Sequence, residues 1–100
     1  MILVQIGDKP RVFHGTFTVG RLLNCALVIP ASDPLVSLVH ARFRNDLTAD
    51  PRAWFVEDCG SANGTYLLGD GFQRRVRAPY ELAKGDRIRL GRTILTVVPD

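Results

Sequence analysis

The sequence predicts an all-β fold, a sandwich or barrel of short strands, on three observations. Gly and Pro recur at positions 7, 10, 15, 20, 30, 34, 51, 60, 64, 69, 71, 79, 85 and 91, leaving segments mostly too short for ordinary helices. Several of those segments alternate apolar and polar residues with period two, as a strand with one covered face does. Others are near-continuous apolar runs, which suit strands covered on both faces.

The elements follow in chain order. Met1-Ile2-Leu3-Val4-Gln5-Ile6 is apolar, but it has no basic leader, reaches Gln5 early and is too short for a signal or membrane segment. It reads as a first strand, and a cytoplasmic setting is the expectation. Thr16-Phe17-Thr18-Val19 alternates; Ala26-Leu27-Val28-Ile29 is an apolar run expected to be covered on both faces. The longest uninterrupted stretch is Leu35 to Asp50. Leu35, Leu38 and Val39 imitate a helical turn there, yet Ala41-Arg42-Phe43-Arg44 alternates, so loop followed by strand is predicted. Trp54 and Val56 oppose Phe55 and Glu57 in the next strand. Lys84-Gly85-Asp86 is a tight turn feeding Arg87-Ile88-Arg89-Leu90, and Ile94-Leu95-Thr96-Val97-Val98 is a second run expected to be covered on both faces. Repeats, low-complexity tracts and linkers are absent. One domain, residues 1–100, is expected, since a chain of this length buries roughly 60–70% of its unfolded surface around one core.

With 46% hydrophobic and 23% charged residues, the composition is that of an ordinary globular protein. The formal charge is +3, with eleven Arg against two Lys. This excess suits an acidic partner, and Arg favours bidentate recognition of carboxylate or phosphate, but solvated surface arginines give the same balance. Cys25 and Cys59 are read as reduced thiols in the absence of a secretory segment. His14 and His40 lack the closely spaced cysteine pairs of a zinc site, so no metal or other cofactor is expected.

Four segments place glycines and polar groups in loops between apolar strands. They are Gly20-Arg21; Ser37-Leu38-Val39-His40; Asp58-Cys59-Gly60-Ser61-Ala62-Asn63-Gly64-Thr65-Tyr66; and Leu82-Ala83-Lys84-Gly85-Asp86-Arg87-Ile88-Arg89-Leu90-Gly91. Each has a plain explanation alone: a solvated Arg, an unremarkable loop, an Asn-Gly hairpin and an architectural turn. Asn63-Gly64-Thr65 also matches a glycosylation sequon, treated as accidental. In this order and spacing the set resembles the forkhead-associated (FHA) domain family, and the resemblance covers essentially the whole chain. It implies a β-sandwich of about eleven strands in two packed sheets, with phosphothreonine-binding loops at one end.

Carried over by position, Arg21 and Ser37 resemble the pair that contacts the phosphate, supplying charge-assisted and neutral hydrogen bonds to a group of about −1.5 to −2 charge at pH 7. Asn63 resembles the residue that grips the peptide backbone, with Ser61 and Ala62 bordering the site. Gly20, His40 and Gly64 resemble structural supports, the His bracing the binding loop and Gly20 letting the chain turn. Loops such as Leu68-Gly69-Asp70-Gly71 are expected to select a ligand side chain near the phosphothreonine. One departure stands out: many relatives carry Arg, Lys or Asn after the Ser, and this chain has Leu38. Only its backbone N–H can then reach the phosphate, a loss of roughly 1.5–3 kcal/mol or about ten- to a hundredfold in affinity if uncompensated.

The resemblance implies a non-enzymatic module for phosphothreonine-dependent protein–protein interaction in kinase signalling. Its partner would be a threonine-phosphorylated protein, a Ser/Thr kinase or its substrate, with no nucleic acid and no membrane involved. Three alternatives stand beside it. Ser37 and His40 could form a nucleophile and base, but no Gly-x-Ser-x-Gly elbow or oxyanion donors accompany them. Arg74, Arg75 and Arg77, with Phe72 and Tyr80 as stacking rings, could bind nucleic acid. Leu38 motivates the third, phosphate-independent protein docking on the same fold.

Overall fold

The computed structural model describes all residues, 1–100. Eleven strands form without a helix: β1 (Ile2–Ile6), β2 (Lys9–Phe13), β3 (Phe17–Gly20), β4 (Leu27–Val28), β5 (Ala41–Arg44), β6 (Phe55–Asp58), β7 (Thr65–Gly69), β8 (Phe72–Arg75), β9 (Tyr80–Glu81), β10 (Arg87–Leu90) and β11 (Thr93–Pro99). One sheet has the order β2-β1-β11-β10-β7-β8 and the other β4-β3-β5-β6-β9. Every pairing is antiparallel except β3 with β4. The fold class read from turn spacing and alternation is therefore the observed one.

The core lies between the sheets and takes every second residue of the longer strands. Ile2 and Val4, Phe17 and Val19, Ala41 and Phe43, Ile88 and Leu90, and Leu95 and Val97 all point inward and are buried. Phe17 stacks between Phe13 and Phe43, with ring centroids 3.8 and 5.1 Å away, and Trp54 packs tilted against it at 6.1 Å. Truncating Phe43 or Trp54, both fully buried, to Ala would cost about 3–5 kcal/mol.

Two of the apolar runs differ from expectation. Ile94 is 40% exposed while Leu95 and Val97 are buried, and Val28 is exposed between buried Leu27 and Ile29. Covering both faces of a sheet requires helices packed outside it, and a chain without helices leaves the outer faces to solvent. The Val and Ile content there reflects strand preference rather than double burial.

Strand register fixes which loops meet. β3 ends where β5 begins, since Val19 pairs with Ala41; β6 ends there too, since Ala41 pairs with Asp58. β7 starts where β10 ends, with Leu90 opposite Thr65, and β11 starts beside them, with Leu90 opposite Thr93. Segments 21–26, 29–40, 59–64 and 91–92 consequently gather at one end of the sandwich. The Asp70-Gly71 turn lies at the other end of β7, since Gly69 pairs with Phe72.

Candidate functional site

The loop 33–40 is the centre of the gathered end, and its neighbours hold it from both sides. On one side Arg21 N donates to Ser37 O at 3.2 Å and Leu22 N to Leu38 O at 3.0 Å. Arg21 also turns its side chain onto this loop, Nε donating to Val36 O. On the other side Ala62 N donates to Ser37 Oγ at 3.1 Å and Asn63 Nδ2 to Leu35 O at 2.9 Å. Arg21, Ser37, Ala62 and Asn63, remote in sequence, thereby border one strip of backbone.

His40 locks this arrangement from beneath. The ring is fully buried. Its Nδ1 accepts from Ser37 N at 3.0 Å and its Nε2 lies 2.9 Å from Gly64 O. An acceptor at Nδ1 and a carbonyl facing Nε2 assign the Nε2–H tautomer. The backbone continues the brace, His40 N donating to Val19 O and Cys59 N to His40 O. Neither ring nitrogen bonds to Ser37 Oγ, so the Ser-His pair lacks the contact a nucleophile and its base require.

Gly20 serves this site for a reason other than the expected turn. Its φ is not positive, but a Cβ there would sit 2.1 Å from Leu38 O. The residue is small so that β3 can approach the loop. Gly64, at φ 85°, does occupy the left-handed region, and the chain needs it to bring its carbonyl to His40. Leu38 is pinned through its carbonyl, which also lies 3.5 Å from Cys25 Sγ, while its side chain stays 53% exposed.

Ser61, expected at the ligand border, is turned inward. Its hydroxyl donates to Asp58 Oδ1 and accepts from Gly64 N at 2.9 Å, and its amide donates to Asp58 Oδ2 at 2.9 Å. Thr65 Oγ1 also donates to Asp58 Oδ1, at 2.7 Å. Burial pushes the Asp58 carboxyl up, but the hydrogen bonds from Ser61 and Thr65 outweigh it and hold the group below its ordinary value. The 59–64 loop is thus folded around an internal carboxylate, leaving Ala62 and Asn63 exposed at its tip.

Asp33 does the same for loop 33–40 and was missed in the sequence. It is buried, and it accepts from Arg92 N at 2.8 Å, Thr93 Oγ1 at 2.7 Å and Leu35 N at 3.3 Å. Burial raises its carboxyl and these bonds, with the Arg92 charge, lower it by more. The available signal was Asp33 ahead of Pro34, a combination that caps its own turn.

The Leu68-Gly69-Asp70-Gly71 expectation is corrected by the register. With Thr65 at the site and Gly69 at the far turn, about 3.3 Å of rise per residue carries positions 69–71 well away from Asn63. The Phe72 ring packs on Gly69 there instead. The free polar groups at the site itself are the Arg21 Nη1 and Nη2 groups, the Ser37 hydroxyl proton, the Leu38 N–H and the Asn63 Oδ1. These are chiefly donors, clustered around a cation and free of any carboxylate partner. They suit an anion with several oxygens.

An eleven-strand sandwich whose loops present such a site at one end is a loop-based binding scaffold. The profile of the FHA domain family matches residues 17–91, and the chain belongs to that family. FhaB, an FHA domain-containing protein of Mycolicibacterium smegmatis, is 35% identical over 96 residues, which are 96% of this chain and 52% of FhaB. The chain thus spans about half the length of that relative. Among solved structures, the MEK1 FHA domain in complex with the HOP1 phosphothreonine peptide superposes with a TM-score of 0.74 at 29% identity, over 99% of this chain and 96% of that one. The FhaA FHA domain complexed with the intracellular domain of Rv3910 gives 0.74 at 26% identity, over 97% and 99%. No helix here is long and apolar enough to cross a membrane.

Proposed function

We propose that the chain is a phosphothreonine-dependent protein-interaction module, with Arg21 and Ser37 taking the phosphate. The observation that carries this reading is the convergence of the Arg21 guanidinium and the Ser37 hydroxyl on one loop. Nε anchors Arg21 to Val36 O, leaving the two Nη groups to face a ligand, and the Ala62 amide occupies an oxygen lone pair of Ser37, leaving its proton to donate outward. The Leu38 N–H is a third donor on the same loop. Asn63 and Ala62 border the peptide, with Ser61 acting through the loop it folds. Gly20, His40 and Gly64 support the site. The MEK1 relative, in complex with a phosphothreonine peptide, supports the ligand class. A threonine-phosphorylated protein in a kinase pathway, in the cytoplasm where Cys25 and Cys59 stay free thiols, completes the proposal, with no catalysis by the module itself.

The test is calorimetric titration of one peptide in phosphorylated and unphosphorylated form, with wild type and Arg21→Ala. Phosphorylation is expected to tighten binding, and Arg21→Ala to remove about 1.5–3 kcal/mol, or roughly ten- to 150-fold, from the phosphorylated form only. Because Arg21 is half-buried and bonded to Val36 O, a small drop in melting temperature accompanies the loss. Equal wild-type affinity for the two peptides would instead support phosphate-independent docking, the reading that the exposed, apolar Leu38 favours.

A further inference from the structure

A second cationic feature lies on the other side of the 59–64 loop. The segment 76–79 crosses from β8 in one sheet to β9 in the other, with Val76 N donating to Thr65 O at 2.8 Å, and leaves a cleft of about 290 Å³ against the end of β6. Arg75 and Arg77 line it, as do Glu57 and Asp58. Arg75 lies over the Gly64 backbone, where a Cβ would meet its Nε at 3.1 Å. The Asn63-Gly64 corner therefore stands between the Arg21–Ser37 pair and this cleft.

The charges in the cleft are unequally engaged. Glu57 is neutralised from outside it, bonded to Arg42 at 2.6 Å and Arg44 at 3.3 Å, and Asp58 is turned into the loop by Ser61 and Thr65. Neighbouring arginines are also occupied. Arg74 covers the Tyr80 ring at 5.5 Å, and Arg89 covers Tyr66 at 4.6 Å while bonding to Gln73 and Gly91. Arg75 and Arg77 are exposed and pair with no acid. Two free guanidinium groups in a concave site beside the peptide-contacting corner form an anion subsite with room for a carboxylate or a phosphate group.

The geometry points to Arg75 and Arg77 as a second, acidic-residue subsite that reads a carboxylate or second phosphate of the same phosphopeptide, an inference that rests on the phosphothreonine reading above. A ligand held at Arg21 and Ser37 and passing Asn63 reaches the cleft without leaving the surface. The nucleic-acid alternative loses one of its two rings to the same contacts, because Arg74 covers Tyr80, while Phe72 lies against Gly69 and stays 57% exposed.

The experiment is a phosphothreonine peptide scanned with Glu against Gln at each flanking position, titrated with wild type, with the double variant R75Q and R77Q, and with the charge-keeping double variant R75K and R77K. At one or more positions wild type is expected to prefer Glu by about two- to fivefold, the range for solvated ion pairs. The Gln variant should erase that preference while binding the all-Gln peptide as wild type does, and the Lys variant should keep most of it. Absence of a Glu preference at every position, or its persistence in the Gln variant, overturns the subsite and leaves the phosphate reading standing if phosphorylation still tightens binding. If phosphorylation has no effect on any peptide, both fall. Stronger binding of an unphosphorylated oligonucleotide, lost in the Gln variant, would overturn the acidic-residue subsite in favour of nucleic acid. A melting temperature for each variant confirms that binding changes are not unfolding.

Discussion

The two ends of strand β7 teach how similar turn chemistry diverges in use. Asp58 to Gly64 leads into the strand and Gly69 to Gly71 closes it, and both segments hold Asp and Gly in short reversals. The first is wired into the molecule through Asp58, Ser61, Asn63 and the Gly64 carbonyl, with outside partners at Leu35 and His40 of the 33–40 loop. The second is a simple hairpin turn between β7 and β8, with an exposed Asp70. Both have left-handed glycines, Gly64 at φ 85° and Gly71 at 76°. Backbone conformation therefore does not distinguish them; hydrogen-bond partners do. A rigid, internally satisfied loop presents its tip residues without an ordering cost at the moment of binding.

The largest expected difference between the ends comes from His40→Ala. The ring fills a fully buried position, and its removal leaves the Ser37 amide and Gly64 carbonyl without partners beside a cavity. A loss of about 2–5 kcal/mol in stability is expected, together with weaker phosphopeptide binding. Thermal and urea unfolding measure the first, calorimetry the second. Lost binding with an unaltered melting temperature would mean that His40 acts on the ligand and does not brace the loop.

Asp58→Asn probes the wiring of the site-end loop by pH. The folded carboxyl of Asp58 is held below its unfolded value by Ser61, Thr65 and the Ser61 amide against the opposing effect of burial. A group lowered in this way stabilises the fold fully above its unfolded pKa, near 4, and that stabilisation is lost as pH falls through the lower folded value. Wild type is therefore expected to exceed Asp58→Asn by about 1–3 kcal/mol from pH 5 to 8, with the gap closing below about pH 4. Asp33 titrates in both proteins, so it cancels from the difference. A gap that persists undiminished at pH 2.5 would assign the effect to shape and not to charge.

What could be read in advance followed physical scale. Strands showed through alternation, because a period of two is local and every core-facing pair repeats it. The resemblance groups Arg21, Ser37 and Asn63, and the fold brings them to one strip of backbone. Asp33 was hidden because its partners Arg92 and Thr93 lie far along the chain, and a short polar residue before Pro explains itself as a turn. The resemblance puts Ser61 at the ligand border, and the sequence shows the residue without the direction of its hydroxyl. The resemblance offers Leu68 to Gly71 for ligand selection, and the sequence marks a loop there without saying which end of the sandwich it occupies. That last fact comes only from pairing.

Leu38→Arg is the smallest expected effect and the sharpest comparison between the ends. The Leu38 carbonyl is fixed by Leu22 N and by the close approach of Gly20, whereas the side chain is free in solvent, so a longer residue can be accommodated without moving the loop. An Arg there places a second guanidinium beside Arg21 and Ser37. The gain for a phosphorylated peptide should be about 0.5–1.5 kcal/mol, limited by screening and by the rotamer freedom an Arg loses when fixed. The unphosphorylated twin should gain less, since it feels only the general field. Asp70→Asn at the far end of β7 supplies the control, because it raises the net charge by the same single unit but cannot reach the site. Its effect should be small and equal for both peptides. A phosphate-selective gain at position 38 and none at position 70 is the outcome expected of a local contact. Equal gains at both positions would show that the module responds to net charge, and the placement of Ser37 against the phosphate would then need revision.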